Sequence, residues 1–310
     1  MAINLRELSK KTIPFTGGHR MCAGCGAPII VRQVLAAAEQ PIAAGVATGC
    51  LEVATTIYPY SAWGTPLIHN AFENVAATVS GIEMAYRALK ARGAVDKDIK
   101  FVAFGGDGGT YDIGLQSLSG AMERGHDMVY ICYDNGAYMN TGIQRSSATP
   151  LGAETSTSPV GKRIPGKPGH RKNLTNIMAA HDIPYVAQTT PAHWRDLMTK
   201  VKKALAVEGP AFLNILSSCP LGWRIPDDSS ISILRLAVDT CFWPLFEVEN
   251  GSYQMNYEPK EKKPLSDWLK PQGRFRHLFR PENKHILEEL QAEVDRNWER
   301  LLRLSKYDSE

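Results

Sequence analysis

The chain of 310 residues is 44% hydrophobic and 22% charged, values of an ordinary globular protein that exclude a collagen-like, coiled-coil or wholly disordered chain. A net charge of only +3 argues against nucleic acid as a partner, and no run of about 18 apolar residues offers a membrane span. The first fifteen residues alternate charge with single apolar side chains and carry no signal-peptide core, so a cytoplasmic location is expected.

Along the chain, residues 26–40 have the 3.6-residue apolar spacing of a helix, and 41–49 are small and apolar, as in a strand running into Cys50. A loop rich in Tyr, Pro and Gly follows at 57–66. A long helical pattern at 70–92 stops at Gly93. The apolar run 99–104 enters Gly105-Gly106-Asp107-Gly108-Gly109, the punctuation of a strand end and tight turn. A helix is expected at 112–124 and a fully buried strand at 127–133. Residues 136–172 read as a loop too long to be a mere connection, and therefore functional. Helix, strand, helix and strand return at 173–181, 184–188, 191–206 and 211–216.

This alternation predicts an α/β fold, a doubly wound parallel sheet whose ligands bind at the carboxyl ends of its strands. The sheet domain is expected to fill residues 1–230. Residues 231–310 are expected to form a C-terminal arm, polar and extended at 250–283, followed by a helix. That helix carries Leu287, Leu290, Val294, Trp298 and Leu301 on one stripe, for packing on its own domain or on a partner subunit.

Two expected strand ends carry chemistry. Gly106-Asp107-Gly108 closes one and Asp134-Asn135 the next, separated by enough chain for one helix and one strand, so the two ends can lie side by side. Asp107 offers a carboxylate, Asn135 an amide oxygen and Ala137 a backbone carbonyl, the hard oxygen donors that magnesium requires. The glycines let the backbone approach a diphosphate, toward which a helix starting near residue 110 would aim its free N–H groups. The pattern resembles the thiamine diphosphate fingerprint, with Asp134 standing where that fingerprint usually has a first Asn.

Six cysteines are present. Cys22 and Cys25 form a C-x-x-C pair, Cys50 ends an expected strand, and Cys219 follows another in Ser-Ser-Cys-Pro. Such a set suits zinc, a redox dithiol or an iron–sulfur cluster, and spacing alone leaves zinc and a cluster open. Cys132 and Cys241 lie in apolar stretches and read as core thiols.

The sequence resembles the beta subunit of 2-oxoacid:ferredoxin oxidoreductases, the pyruvate-specific members above all. The stretches that carry the resemblance are 18–26 (GHRMCAGCG), 49–52 (GCLE), 105–110 (GGDGGT) and 133–150 (YDNGAYMNTGIQRSSATP). The resemblance implies one 4Fe–4S cluster on Cys22, Cys25, Cys50 and Cys219, and magnesium (Mg2+) on Asp107, Asn135 and the Ala137 carbonyl. It also implies thiamine diphosphate lined by Cys50, Gly106, Asp107, Gly108, Gly109, Asn135, Ala137, Tyr138 and Asn140, with Asn140 at the reacting end. Some relatives have a Glu where this chain has Ala27, so that contact is not carried over.

The implied reaction is oxidative decarboxylation of a 2-oxoacid, pyruvate before oxalate, 2-oxoisovalerate or 2-oxoglutarate, with coenzyme A as acyl acceptor and ferredoxin as electron acceptor. The sequence offers one α/β unit and no ferredoxin-type cysteine run. An alpha subunit with the pyrimidine-binding domain and a ferredoxin-like subunit or domain are therefore expected as partners. His19 and His69 read as local hydrogen-bonders, and the basic-aromatic run 274–280 as a solvated or subunit-contacting arm. A zinc-stabilised, nucleotide-binding regulatory module is the alternative of another class.

Overall fold

The computed structural model describes residues 3–307; Met1, Ala2 and residues 308–310, at the two ends of the expected segments, lie outside the described residues. Eight strands form one sheet: β1 (Ile42–Ala47), β2 (Leu67–Asn70), β3 (Lys100–Gly106), β4 (Val129–Asp134), β5 (Tyr185–Thr189), β6 (Ala211–Leu216), β7 (Leu245–Glu249) and β8 (Ser252–Tyr257). Their order is β2-β1-β3-β4-β6-β5-β7-β8, with the first six mutually parallel and β7 and β8 antiparallel. The expected doubly wound sheet is thus present. Every residue of β4, β5 and β6 is buried, as a strand covered by helices on both faces requires.

The helices follow the sequence pattern closely. Gly26–Ala37 and Trp194–Ala206 cover one face with Ile30, Val34, Leu197 and Val201. Val75–Ala91 and Leu115–Glu123 cover the other with Val79, Leu118 and Met122. Two local features differ from expectation. Strand β2 is not among the expected elements: it falls between the loop read at 57–66 and the helix read from 70, has four residues, sits at the sheet edge and buries none of them, so it leaves no apolar signature. The helix expected from 112 is preceded by a π-helical turn at Gly108–Ile113, where the Gly114 N–H reaches the Gly109 carbonyl at 2.6 Å. Such wide turns recur at functional sites.

The larger difference lies beyond residue 230. The β7–β8 hairpin extends the sheet across the expected boundary, with Val186 paired to Val248 and Val248 to Tyr253. Residues 265–280 do not form a solvated arm: Leu265, Trp268, Leu269, Phe275 and Leu278 are buried in a third cluster with Trp223 and Trp243. Arg274 is buried as well, its guanidinium 4.4 Å from the Trp223 ring. The arm read as solvated because its apolar residues are scattered, and only folding collects them around tryptophans distant in sequence. The last helix, Lys284–Tyr307, packs on the chain's own domain through Leu290, Val294 and Leu301, with Leu287 and Trp298 partly covered.

Trp268 is the hub of this third cluster, fully buried, stacked on Phe242 at 3.9 Å and edge-on to Trp223 at 6.0 Å. Trp268→Ala is expected to cost about 3–5 kcal/mol of stability, the usual result of emptying a core aromatic site, as read by denaturant unfolding.

Candidate functional site

Strands β1, β3, β4 and β6 are neighbours in the sheet and run the same way. Their carboxyl ends therefore bring Gly49-Cys50, Gly106-Asp107, Asp134-Asn135 and Ser217-Ser218-Cys219 to one edge. A recess there is lined by Thr48, Gly49, Cys50, Phe72, Gly106, Asp107, Gly108, Gly109, Tyr133, Asn135 and residues 137–141. All nine residues expected to line a cofactor stand in it.

At its floor Asp107 is buried. Its Oδ1 accepts the Asn135 backbone N–H at 3.1 Å and its Oδ2 accepts the Ser146 hydroxyl at 2.5 Å. Burial first, then the charge of Asp134, pushes its carboxyl well above the usual range. The side-chain oxygen of Asn135 lies 3.0 Å from Asp107 Oδ1 and 3.0 Å from the Ala137 carbonyl. Turned half a revolution, the amide would donate its nitrogen to both. With nitrogen inward the amide satisfies both by itself; with oxygen inward three oxygens would meet, an arrangement that a bound cation would stabilise.

Asp134, the departure from the usual Asn, is answered from the long loop. Arg171 pairs with its Oδ2 at 2.5 Å, Tyr111 donates to the same oxygen at 2.6 Å, and the Gly136 N–H reaches Oδ1 at 3.1 Å. Arg171 lies over the Trp243 ring at 4.8 Å, which fixes the guanidinium in place. The loop expected at 136–172 has no helix or strand in it and positions the strand ends: Ser146 holds Asp107, and Thr149 holds the Gly136 carbonyl at 2.6 Å.

The glycines are required by close packing. A Cβ on Gly108 would collide with the Tyr138 ring, and one on Gly109 would stand 2.9 Å from the Phe72 carbonyl oxygen. Tyr138 is pinned by paired backbone bonds to Gln144, and Phe72 packs edge-on against its ring at 5.8 Å. Asn140 is exposed at the mouth.

The four candidate cysteines are free thiols on three adjoining turns. Cys25 caps Gly26–Ala37, Cys50 opens the helix Cys50–Thr55, and Cys219 caps Pro220–Trp223, its sulfur accepting the Gly222 N–H at 3.3 Å. The Gly26 N–H to Ser218 carbonyl bond, 3.1 Å, ties the first turn to the third. Gly24 adopts φ +70, and a Cβ there would run into the Asp227 carbonyl, so the position before Cys25 tolerates only glycine. Burial, and next the neighbouring thiols, pushes Cys25 up to about 12 and Cys50 up to about 11; burial also raises Cys219. Among the described residues no three His, Cys, Asp or Glu side chains are grouped to hold a single metal ion, as a zinc tetrahedron requires. Cys132 and Cys241 are buried away from this edge in hydrophobic clusters, as expected of core thiols.

Of the two histidines, His69 pairs with Glu52 at 3.1 Å and His19 packs on Phe15. Sequence reasoning missed Ser146, Arg171, Tyr133 and Phe72. Tyr133 and Ser146 stand inside the motif stretch 133–150 with no role assigned to them, while Arg171 is signalled only by the long loop and Phe72 only by a helix flank.

Comparison with known proteins agrees with this geometry. Residues 47–215 match the family model of the thiamine pyrophosphate enzyme C-terminal TPP binding domain. The chain is 54% identical to pyruvate synthase subunit PorB of Thermotoga maritima, over 99% of its own length and 98% of the relative's. It is 46% identical to ketoisovalerate oxidoreductase subunit VorB of Pyrococcus furiosus, over 95% and 96%. Among solved structures, 2-oxoglutarate:ferredoxin oxidoreductase from Magnetococcus marinus shares the fold, with a TM-score of 0.56 at 23% identity, covering 73% of this chain and 81% of that one. Likeness of this degree over almost the full length of both partners makes the family plain: the chain belongs to the beta subunits of the 2-oxoacid:ferredoxin oxidoreductases and carries their thiamine diphosphate-binding domain.

Proposed function

We propose that this subunit holds thiamine diphosphate through Mg2+ on Asp107, Asn135 and the Ala137 carbonyl. We further propose that it couples oxidative decarboxylation of a 2-oxoacid to a 4Fe–4S cluster on Cys22, Cys25, Cys50 and Cys219. The observation that carries the magnesium site is that the Asp107 carboxylate, the Asn135 side-chain amide and the Ala137 carbonyl converge at one point of the recess, the amide 3.0 Å from each of the other two. An octahedron with bonds of about 2.0–2.1 Å sets neighbouring oxygens about 2.9–3.0 Å apart, a spacing that the amide oxygen, turned inward on a metal, would match. The remaining positions fall to diphosphate oxygens and water. A cation there also answers the burial of Asp107, whose carboxyl is otherwise held toward its neutral form.

When bound, thiamine diphosphate supplies the electron sink that lets a 2-oxoacid lose carbon dioxide, and an iron–sulfur cluster supplies a one-electron acceptor. The chain's own residues do the placing. Asp107 and Asn135 fix the metal, Ser146 fixes Asp107, and Gly108 and Gly109 leave room for Tyr138 and Phe72 to wall the recess. Cys50 belongs both to this recess and to the four-thiol set, so one short turn joins the cofactor to the electron path. Asn140, at the mouth, is the residue assigned to the reacting end. The buried thiols resist ionisation, and the positive iron of a cluster would reverse that.

Pyruvate is the favoured substrate because the more similar relative is a pyruvate synthase subunit, with 2-oxoisovalerate next. Coenzyme A takes the acyl group, and electrons pass to ferredoxin through a ferredoxin-like subunit or domain. The described residues form one sheet, so the acid that activates the aminopyrimidine ring is assigned to an alpha subunit. Tyr58 and Tyr60, 94% and 78% exposed beside the cysteine turns, suit that contact.

Asp107→Ala is expected to weaken thiamine diphosphate binding by at least about a hundredfold, the upper end of what loss of a mere supporting partner costs, while iron content holds. Full cofactor content in the purified variant would misplace the site. Each of Cys22, Cys25, Cys50 and Cys219 changed to Ser should lower iron per chain, whereas Cys132→Ser and Cys241→Ser should leave it unchanged; the reverse pattern would refute the ligand set. The full chain, loaded with cluster and thiamine diphosphate but without partners, should not decarboxylate pyruvate. Turnover by the chain alone would place the activating acid within it.

A further inference from the structure

Two buried hydroxyls at the cysteine edge have no work in the reading above. Tyr133 is 3% exposed and Ser217 is fully buried, and neither hydroxyl has a hydrogen-bond partner among the described residues. A buried hydroxyl left unpaired is costly, so its place in a packed core points to a ligand group. Strands β4 and β6 are paired with Tyr133 opposite Ile215, and both side chains belong to the same hydrophobic cluster on one face of the sheet. Ser217 lies two residues beyond Ile215, its N–H continuing the ladder to the Asp134 carbonyl at 2.7 Å.

Each hydroxyl stands under a turn that carries cysteine. The Tyr133 oxygen is 3.0 Å from where a Cβ on Gly49 would sit, and Gly49 precedes Cys50. The Ser217 oxygen is 2.7 Å from the corresponding point on Gly26, which follows Cys25, and Ser217 itself lies two residues before Cys219. Tyr133 and Cys50 also line the same recess.

We propose, resting on the cluster reading above, that Tyr133 and Ser217 donate hydrogen bonds to sulfur atoms of the iron–sulfur cluster and raise its reduction potential. A reduced cluster carries one more negative charge than an oxidised one, and donors aimed at its sulfurs stabilise that charge. The two are positioning residues: they bind no iron and touch no substrate. Their effect is to make the cluster a better acceptor beside the cofactor recess.

The test uses the full chain reconstituted with iron and sulfide, as wild type, Tyr133→Phe, Ser217→Ala and the double variant. Iron per chain, redox titration followed by absorbance near 400 nm, and thiamine diphosphate affinity are measured. Iron content should hold in every variant, and cofactor affinity should hold in Ser217→Ala, whose side chain lies outside the recess. The midpoint potential should move to more negative values in each single variant and further in the double. An unmoved potential with the cluster present would overturn the proposal. Weakened cofactor binding by Tyr133→Phe at unchanged potential would also overturn it, giving that hydroxyl to the cofactor. If one single variant loses iron, the other decides; if both lose it, the hydroxyls hold the cluster rather than tune it, and the proposal fails. A wild-type chain that assembles no cluster would sink the underlying reading instead.

Discussion

Two carboxylates, Asp107 and Asp134, are buried at adjoining strand ends, and the site is organised around how each is compensated. Leaving one buried charge unpaired costs about 3–5 kcal/mol, so neither can be ionised without a positive partner. Arg171 answers Asp134 directly, held over Trp243 and reinforced by Tyr111. Among the described residues no cation pairs with Asp107 in the same way: it accepts from a hydroxyl and a backbone N–H, with the Asn135 amide and the Ala137 carbonyl beside it. The position without a protein cation is the one where these polar groups converge. One charge is thus neutralised internally, and the other is the place proposed above for Mg2+. The proposed diphosphate site follows from that division.

The long loop between β4 and β5 is the means by which this is done. It supplies Ser146 to Asp107 and Arg171 to Asp134. Lys167, buried within it, binds the Thr149 and His170 carbonyls, which braces the loop from inside. Burial lowers that ammonium to about 8, so the brace is made by a group still largely charged at neutral pH. The C-terminal segment then covers the loop from the other side: Leu278 and Ile286 pack at Gly152, and the Arg274 backbone carbonyl accepts the Glu154 N–H at 3.0 Å. Stability of the third hydrophobic cluster and geometry of the site are therefore linked through one loop.

The cysteine edge uses the same sheet ends differently. Its turns are shaped by Gly24, Gly26 and Gly222, each of which would collide with neighbouring atoms if it carried a Cβ. At Gly222 the neighbour is Met139, whose sulfur lies between the cofactor recess and the Cys219 turn. The electron donor and acceptor sites proposed on adjacent strands would need no long relay, because neighbouring parallel strands stand about 4.8 Å apart.

The sequence by itself determined the parallel sheet, the helices over it and the strand-end donors Asp107, Asn135 and Ala137 beside their glycines, while Cys50, Tyr138 and Asn140 entered the recess through the family resemblance. Those signals are local: buried strands read as continuous apolar runs, helices as a 3.6-residue period, and strand ends as Gly-Asp-Gly and Asp-Asn at the turn. It also placed Cys50 and Cys219 at one edge, since residues that end neighbouring parallel strands must share it; Cys22 and Cys25 joined them only through the family resemblance. What lay beyond its reach was every partnership between distant segments. Arg171 could not be matched to Asp134, nor Ser146 to Asp107, because no pattern in the chain encodes which loop side chain folds back on which strand end. For the same reason the scattered Trp223, Trp243, Trp268 and Phe275 gave no sign of a shared core, and the sheet was expected to end before β7 and β8. Local periodicity fixes which face of an element is apolar; only the packed tertiary structure decides which distant residue covers it and which buried charge is left for a ligand to satisfy.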